Sequence, residues 1–154
     1  MNATLSEPAA AVGRAQLRKL AEFVDRRRMI AERLNGGLHG VASVRLQREP
    51  AGYRHSYHLY TFFVDATRVD RNAIVSDLVR AGIEIELRYF PLHLLPEWRI
   101  RGHEYGECPV FEKLWFESLV NLPCYPELTD GQVDYMVAAV KNAIDASEPE
   151  RGHA

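Results

Sequence analysis

The stretch "EPAAAVGRAQLRKLAEFVDRRRMIAERLNGG" sets the strongest constraint on how this chain folds. Val12, Ala15, Leu20, Phe23, Val24, Ile30, Ala31 and Leu34 recur at three- and four-residue steps, the helical period. With Ser6 or Glu7 as a cap, Pro8 in the first turn and Gly36 and Gly37 as the stop, the pattern predicts one helix over 8–34. At 1.5 Å per residue such a helix is roughly 40 Å long. That exceeds the width of a domain built from what remains, so part of it must protrude or pack on something else.

The rest of the chain alternates short strands and helices. Val41 to Leu46 reads as a strand, and "RHSYHLYTFFVD" as a second one, rich in aromatic and β-branched residues. Asp70 caps a helix over 71–80, with Ile74, Val75, Leu78 and Val79 directed to the core and Gly82 ending it. "IEIELRY" alternates apolar and charged residues, the pattern of a strand with one face in water. "FPLHLLPEWRIRGHEYGEC" has no period and predicts an ordered loop with a helical turn, after which Pro109 opens a short helix to about Ser118. "LVNLP" is a further strand or extended link. Thr129 and Gln132 form a capping-box pattern that starts a last helix to about Ala146. The expected fold is α+β, a long N-terminal helix and a small, mainly antiparallel sheet covered by helices on one face. One domain is expected over 1–146, with a disordered tail over 147–154.

Composition excludes several functions. The formal net charge of −2 is not that of a nucleic-acid binder. Arg26, Arg27 and Arg28 read as the solvated face of a helix. No run is apolar and long enough to span a bilayer, and the start lacks a signal-peptide pattern, so a cytoplasmic location is expected. Cys108 and Cys124 are far apart and read as reduced structural thiols.

Few residue groups suggest chemistry. His55 and His58, three apart on a strand, would point to opposite faces and so could not share a metal; no metal site is expected. No serine or cysteine stands in a nucleophile context, and there is no P-loop or G-x-G-x-x-G. His93 lies in "RYFPLHLLPEW", which has two readings: a binding surface, or aromatics that seal the edge of a small core.

Taken together, the segments resemble the DegT/DnrJ/StrS-type aminotransferases, pyridoxal-phosphate (PLP) enzymes that aminate keto-sugars attached to nucleotides. "NATLSEPAAAVGRAQL" is similar to a family segment at Asn2, Ser6, Glu7, Ala10, Ala11, Gly13, Gln16 and Leu17. The Arg-rich "FVDRRRMIAERL", the strand "HSYHLYTFFV", "AGIEIELRYFPLH" with its P-L-H, and "NLPCYPELTDGQVDYMVAAV" follow in the family's order, so that the likeness runs from about Asn2 to Ile144.

The resemblance implies the small, C-terminal domain of a fold-type I PLP transferase. The family's large domain, which holds the cofactor and its Schiff-base lysine, would precede it. The chain is then expected to be a truncated or split aminotransferase, inactive alone and binding no PLP by itself. The alternative is a stand-alone, non-catalytic module for sugar-nucleotide binding or dimerisation. By resemblance, Asn2 reaches the cofactor phosphate of the neighbouring subunit, and His93 lies near the sugar-nucleotide entrance beside Tyr89 and Arg88. A large domain or a full-length homologue is the expected partner, in a homodimer. The residues agree with a missing half: Lys19, Lys113 and Lys141 all fall on predicted amphipathic helices among polar neighbours, and none follows a strand in a glycine-rich setting.

Overall fold

A computed structural model describes residues 4–148, and the structural statements below concern those residues. The elements are α1 (Glu7–Leu17), α2 (Leu20–Leu38), β1 (Val44–Leu46), β2 (Tyr60–Val64), α3 (Arg71–Arg80), α4 (Pro96–Arg99), α5 (Pro109–Lys113), β3 (Leu119–Leu122) and α6 (Asp130–Ser147). A 3-10 turn precedes α4 at Leu92–Leu94, and a π turn at Leu114–Ser118 joins α5 to β3.

The sheet is antiparallel with β2 in the centre, in the order β1-β2-β3. Tyr60, Phe62 and Val64 alternate along β2 onto one face and are buried. There they meet Ile30, Leu34 and Leu38 of α2, Ile74 and Leu78 of α3, and Val133, Val140 and Ile144 of α6 in a single core. Three helices on one face of a small antiparallel sheet is the α+β arrangement that the order of elements predicts. Burying a side chain such as Phe62, which has no exposed surface, is worth about 1.5–3 kcal/mol.

The long N-terminal helix is two helices. At Lys19 the backbone N–H bonds to Gln16, three residues back rather than four, and this tightened turn separates α1 from α2. None of the residues of α1 is buried, so the protruding part expected from length is α1. Ser6 occupies the cap position with extended backbone but its side chain makes no capping bond. Gly36 and Gly37 do not stop the helix. α2 runs through them to Leu38 because α6 crosses here: a Cβ on Gly37 would fall 2.6 Å from Val137 Cγ1. The turn follows at Gly40, whose φ of +81° is natural only for glycine.

Three predicted strands are shorter or absent. Val41 to Ser43 stay outside β1, and residues 54–59 stay outside β2. Tyr57 adopts φ +46°, its N–H donates to His55 Nδ1, and Arg28 donates to the His55 carbonyl; this bent, side-chain-bonded backbone cannot continue a ladder. "IEIELRY" keeps its alternation, with Ile83 buried, Ile85 and Leu87 half-buried and Glu84 and Glu86 exposed, but it joins no ladder. Its backbone is instead held by the Arg88 N–H donating to Asn121 Oδ1 at 2.8 Å.

Two N-terminal caps form as expected. Asp70 accepts from the Asn72 N–H, and Thr129 and Gln132 form a reciprocal capping box. Ile74 and Leu78 are core residues, but Val79 is exposed. The arginine cluster is not a solvated face. Arg26 donates to the Leu128 carbonyl and to Asp130, and Arg28 pairs with Glu49, so the cluster ties α2 to the start of α6 and to the 47–55 loop. Cys108 is exposed and Cys124 is buried; burial pushes the Cys124 thiol up to about 11, which keeps it protonated at neutral pH. Ser147 belongs to α6 and Glu148 still pairs with Arg68; the remainder of the tail lies outside the described residues. No helix among the described residues is long and apolar enough to cross a membrane.

Candidate functional site

The region between residues 83 and 118 carries the predicted site residues. It is irregular for a local reason: Pro91, Pro96 and Pro109 each remove a backbone donor, and Gly102 and Gly106 adopt φ of +94° and +102°. Order comes from side chains. Phe90 meets Trp115 edge-on at 4.9 Å, Trp115 meets Phe116 at 4.8 Å, and Tyr105 lies 5.9 Å from Phe116. Such aromatic contacts add about 0.5–1.5 kcal/mol each beyond burial. Arg101 sits over the Trp98 ring at 5.4 Å.

A buried carboxylate anchors this loop. Glu112 on α5 has 1% of its surface exposed. Oε1 lies 2.6 Å from His93 Nε2 and accepts from the Cys108 N–H at 3.1 Å, and the Gly106 N–H donates to both oxygens at 3.0 and 2.9 Å. Burial pushes the Glu112 carboxyl up, but the Cys108 N–H, His93 and the Gly106 N–H outweigh it and hold the group below the usual carboxylate range. One side chain thus joins the 3-10 turn that bears His93 to the backbone thirteen to fifteen positions along the chain.

Arg88 and Tyr89 have partners other than those of His93. The Tyr89 hydroxyl lies 3.2 Å from His58 Nε2, and the Arg88 guanidinium pairs with Glu86. Beneath them Asn121 is 3% exposed, receives the Arg88 N–H and donates from Nδ2 to Thr61 Oγ1. A groove of about 310 Å³ runs alongside, lined by Arg27, His58, Glu84, Glu86, Asn121 and Tyr125. Among the described residues no hydrogen bond links His93 to Arg88 or Tyr89. The third carried-over position, Asn2, lies outside the described residues.

His55 and His58 are not on a strand, so the opposite-face argument does not apply to them. They are separated instead by their partners, Tyr57 N–H for one ring and Tyr89 for the other. Among the described residues no group of three or more His, Cys, Asp or Glu stands close enough to hold a metal ion.

Sequence reasoning passed over Glu112 and Asn121. Each is a polar residue inside an apolar run, "PVFEKLWF" and "LVNLP". That interruption is the usable signal, because a buried polar group is retained where it meets hydrogen-bond partners.

The described residues do not by themselves fit PLP. A Schiff-base lysine works in a desolvated pocket beside a phosphate cradle. Lys19 lies in the turn between α1 and α2 rather than within a helix, Lys113 ends α5, Lys141 is on α6, and all three are exposed. No step through the cofactor is derived from them.

Comparison with known proteins shows what this chain is similar to. The profile of the DegT/DnrJ/EryC1/StrS aminotransferase family matches residues 1–141. The chain is 34% identical over 149 residues to a dTDP-4-dehydro-2,3,6-trideoxy-D-glucose 4-aminotransferase from Saccharopolyspora spinosa, an alignment covering 92% of this chain and 36% of that protein. The crystal structure of the aminotransferase TlmJ from Streptoalloteichus hindustanus superposes with a TM-score of 0.79 at 38% identity, covering 90% of this chain and 36% of that one. A Streptococcus pneumoniae relative solved in its PLP form gives a TM-score of 0.82 at 27% identity, covering 93% and 36%. This chain therefore spans little more than a third of the length of the relatives it matches. It has the α+β architecture of one part of the solved structures it superposes on, and it belongs to the DegT/DnrJ/EryC1/StrS aminotransferase family.

Proposed function

We propose that these residues form the small-domain half of a PLP-dependent aminotransferase that acts on a keto-sugar carried by a nucleotide. Alone, the chain does not transaminate. The lysine and the phosphate cradle come from a large domain outside this stretch, and the assembled enzyme pairs two copies. PLP, when bound there, supplies the electron sink for amino transfer.

One observation carries the reading: a family match over residues 1–141 in a stretch whose three lysines are all exposed. The surface supports it. Tyr89, Leu92, Ile100, Tyr105 and Val110 are exposed around the 88–112 region, and such apolar clusters mark surfaces that meet a partner or ligand. The open groove beside Tyr89 becomes a site only when a second surface closes over it. In this arrangement Arg88, Tyr89 and His93 line the sugar-nucleotide entrance, where they orient the substrate and exclude water. The Asn2 amide donates to the cofactor phosphate of the neighbouring subunit.

Co-expression with a lysine-bearing large domain of the family tests the reading. Amination of a keto-sugar nucleotide should appear only when both pieces are present. Activity of this chain alone, or an inactive mixture of two folded pieces, refutes it. In the active assembly Asn2→Ala should weaken cofactor affinity about ten- to a hundredfold, the loss of a charged hydrogen bond of roughly 1.5–3 kcal/mol. His93→Ala should chiefly raise the KM for the sugar nucleotide.

A further inference from the structure

His93 is gripped from one side. Its Nε2 faces a carboxylate that is 1% exposed and also accepts backbone N–H bonds from Gly106 and Cys108. A carboxylate surrounded by N–H donors is stabilised as the anion, and an anion only accepts. The proton in the 2.6 Å contact therefore belongs to Nε2. Whenever the ring is neutral, Nδ1 is then a bare acceptor. Among the described residues Nδ1 has no hydrogen-bond partner, and 12% of the His93 side chain remains open. The same carboxylate holds Gly106 and Cys108, so the ring and the far end of its loop are tied to one group.

We propose that Glu112 is a positioning residue, which holds His93 as the Nε2–H tautomer and so presents Nδ1 as an acceptor to a hydroxyl of the sugar nucleotide. The ligand rests on the aminotransferase reading above; the tautomer rests on geometry alone. A purely structural Glu112 would stiffen the loop without selecting which ring nitrogen carries the proton.

The test is nitrogen-labelled imidazole NMR on the full chain, with His93→Gln used to assign the resonance. The expected result is a slowly exchanging proton on His93 Nε2 and a bare Nδ1. In Glu112→Gln the carboxamide either accepts from the ring or donates to it, so the Nδ1–H form appears and the Nε2 proton exchanges faster. A proton on Nδ1 in the wild-type chain, or an Nε2 proton that exchanges as fast as that of a free imidazole, overturns the proposal. So does a folded Glu112→Gln variant with the wild-type tautomer and exchange rate. If that variant does not fold, the wild-type spectrum decides by itself. In the co-expressed enzyme, Glu112→Gln and His93→Gln should each raise the KM for the sugar nucleotide about tenfold, more than they lower kcat. An active enzyme with unchanged KM in both variants overturns the ligand role. An inactive assembly refutes the aminotransferase reading, and the tautomer result stands apart from it.

Discussion

Gly36 and Gly37 are neighbours in α2 with opposite surroundings, and alanine should stabilise at the first and not at the second. Gly36 is exposed, and a Cβ there would meet nothing within 4 Å. Gly36→Ala should therefore realise the helix-propensity gain of about 0.8–1.0 kcal/mol. Gly37→Ala makes the same gain, but its Cβ falls 2.6 and 2.7 Å from the two γ-methyls of Val137 and 3.2 Å from its Cβ. Valine is branched at Cβ and has little rotamer freedom in a helix, so α6 must shift. Overpacking of this kind costs about 1–3 kcal/mol, which leaves Gly37→Ala between neutral and about 2 kcal/mol less stable than the parent. The two variants should differ by about 1–3 kcal/mol, or roughly 2–12 °C in Tm for a chain of this size. Thermal unfolding followed by circular dichroism on both variants measures the gap. Val137→Ala supplies the control: combined with Gly37→Ala it should be more stable than the sum of the single changes, because the added methyl enters the space that valine vacates. A Gly37→Ala variant as stable as Gly36→Ala, with no coupling to Val137, would refute the close α2–α6 approach.

Asp134 is held below the usual carboxylate range by its hydrogen bonds from Arg33. A depressed folded pKa contributes stability that is fully present above the unfolded value near 3.8 and is lost as pH falls from there through the lower, folded-state value. The Tm difference between the wild-type chain and Asp134→Asn should be present at neutral pH, small because the pair is exposed, should shrink as pH falls below about 3.8, and should be gone only once pH is below the lowered folded-state value. Treatment with PLP and borohydride, followed by peptide mapping, should label Lys19, Lys113 and Lys141 weakly and without preference; stoichiometric labelling of one would contradict the reading of all three as solvated. Val12, Leu17 and Leu20 are 61%, 67% and 50% exposed along α1 and the start of α2, so light scattering should detect dimers or larger species. A clean monomer at high concentration that binds no hydrophobic dye would count against that.

The sequence by itself determined the features whose cause is local or periodic. Asp70 and the Thr129–Gln132 pair cap their helices because the bonding partners lie two or three residues away. Ile74 and Leu78 are the core residues that the helical period assigns, although the same period also pointed Val79 inward. The family was also legible, since it rests on the order of several segments rather than on one. Tertiary structure decided what depends on distant neighbours. α2 continues through two glycines because α6 presses on one of them. Residues 54–59 and 83–89 look like strands in isolation, yet one is bent by His55 and Arg28 and the other is held by a side chain of β3 instead of a ladder. The arginine run became a set of ties because its partners, Glu49 and Asp130, arrive from other parts of the fold. His93 could be singled out from its loop, but Glu112 acquires its role only when folding brings that loop back over α5 and removes water from the carboxylate. Local rules reach as far as one turn of backbone, and a buried polar contact across nineteen positions lies beyond them.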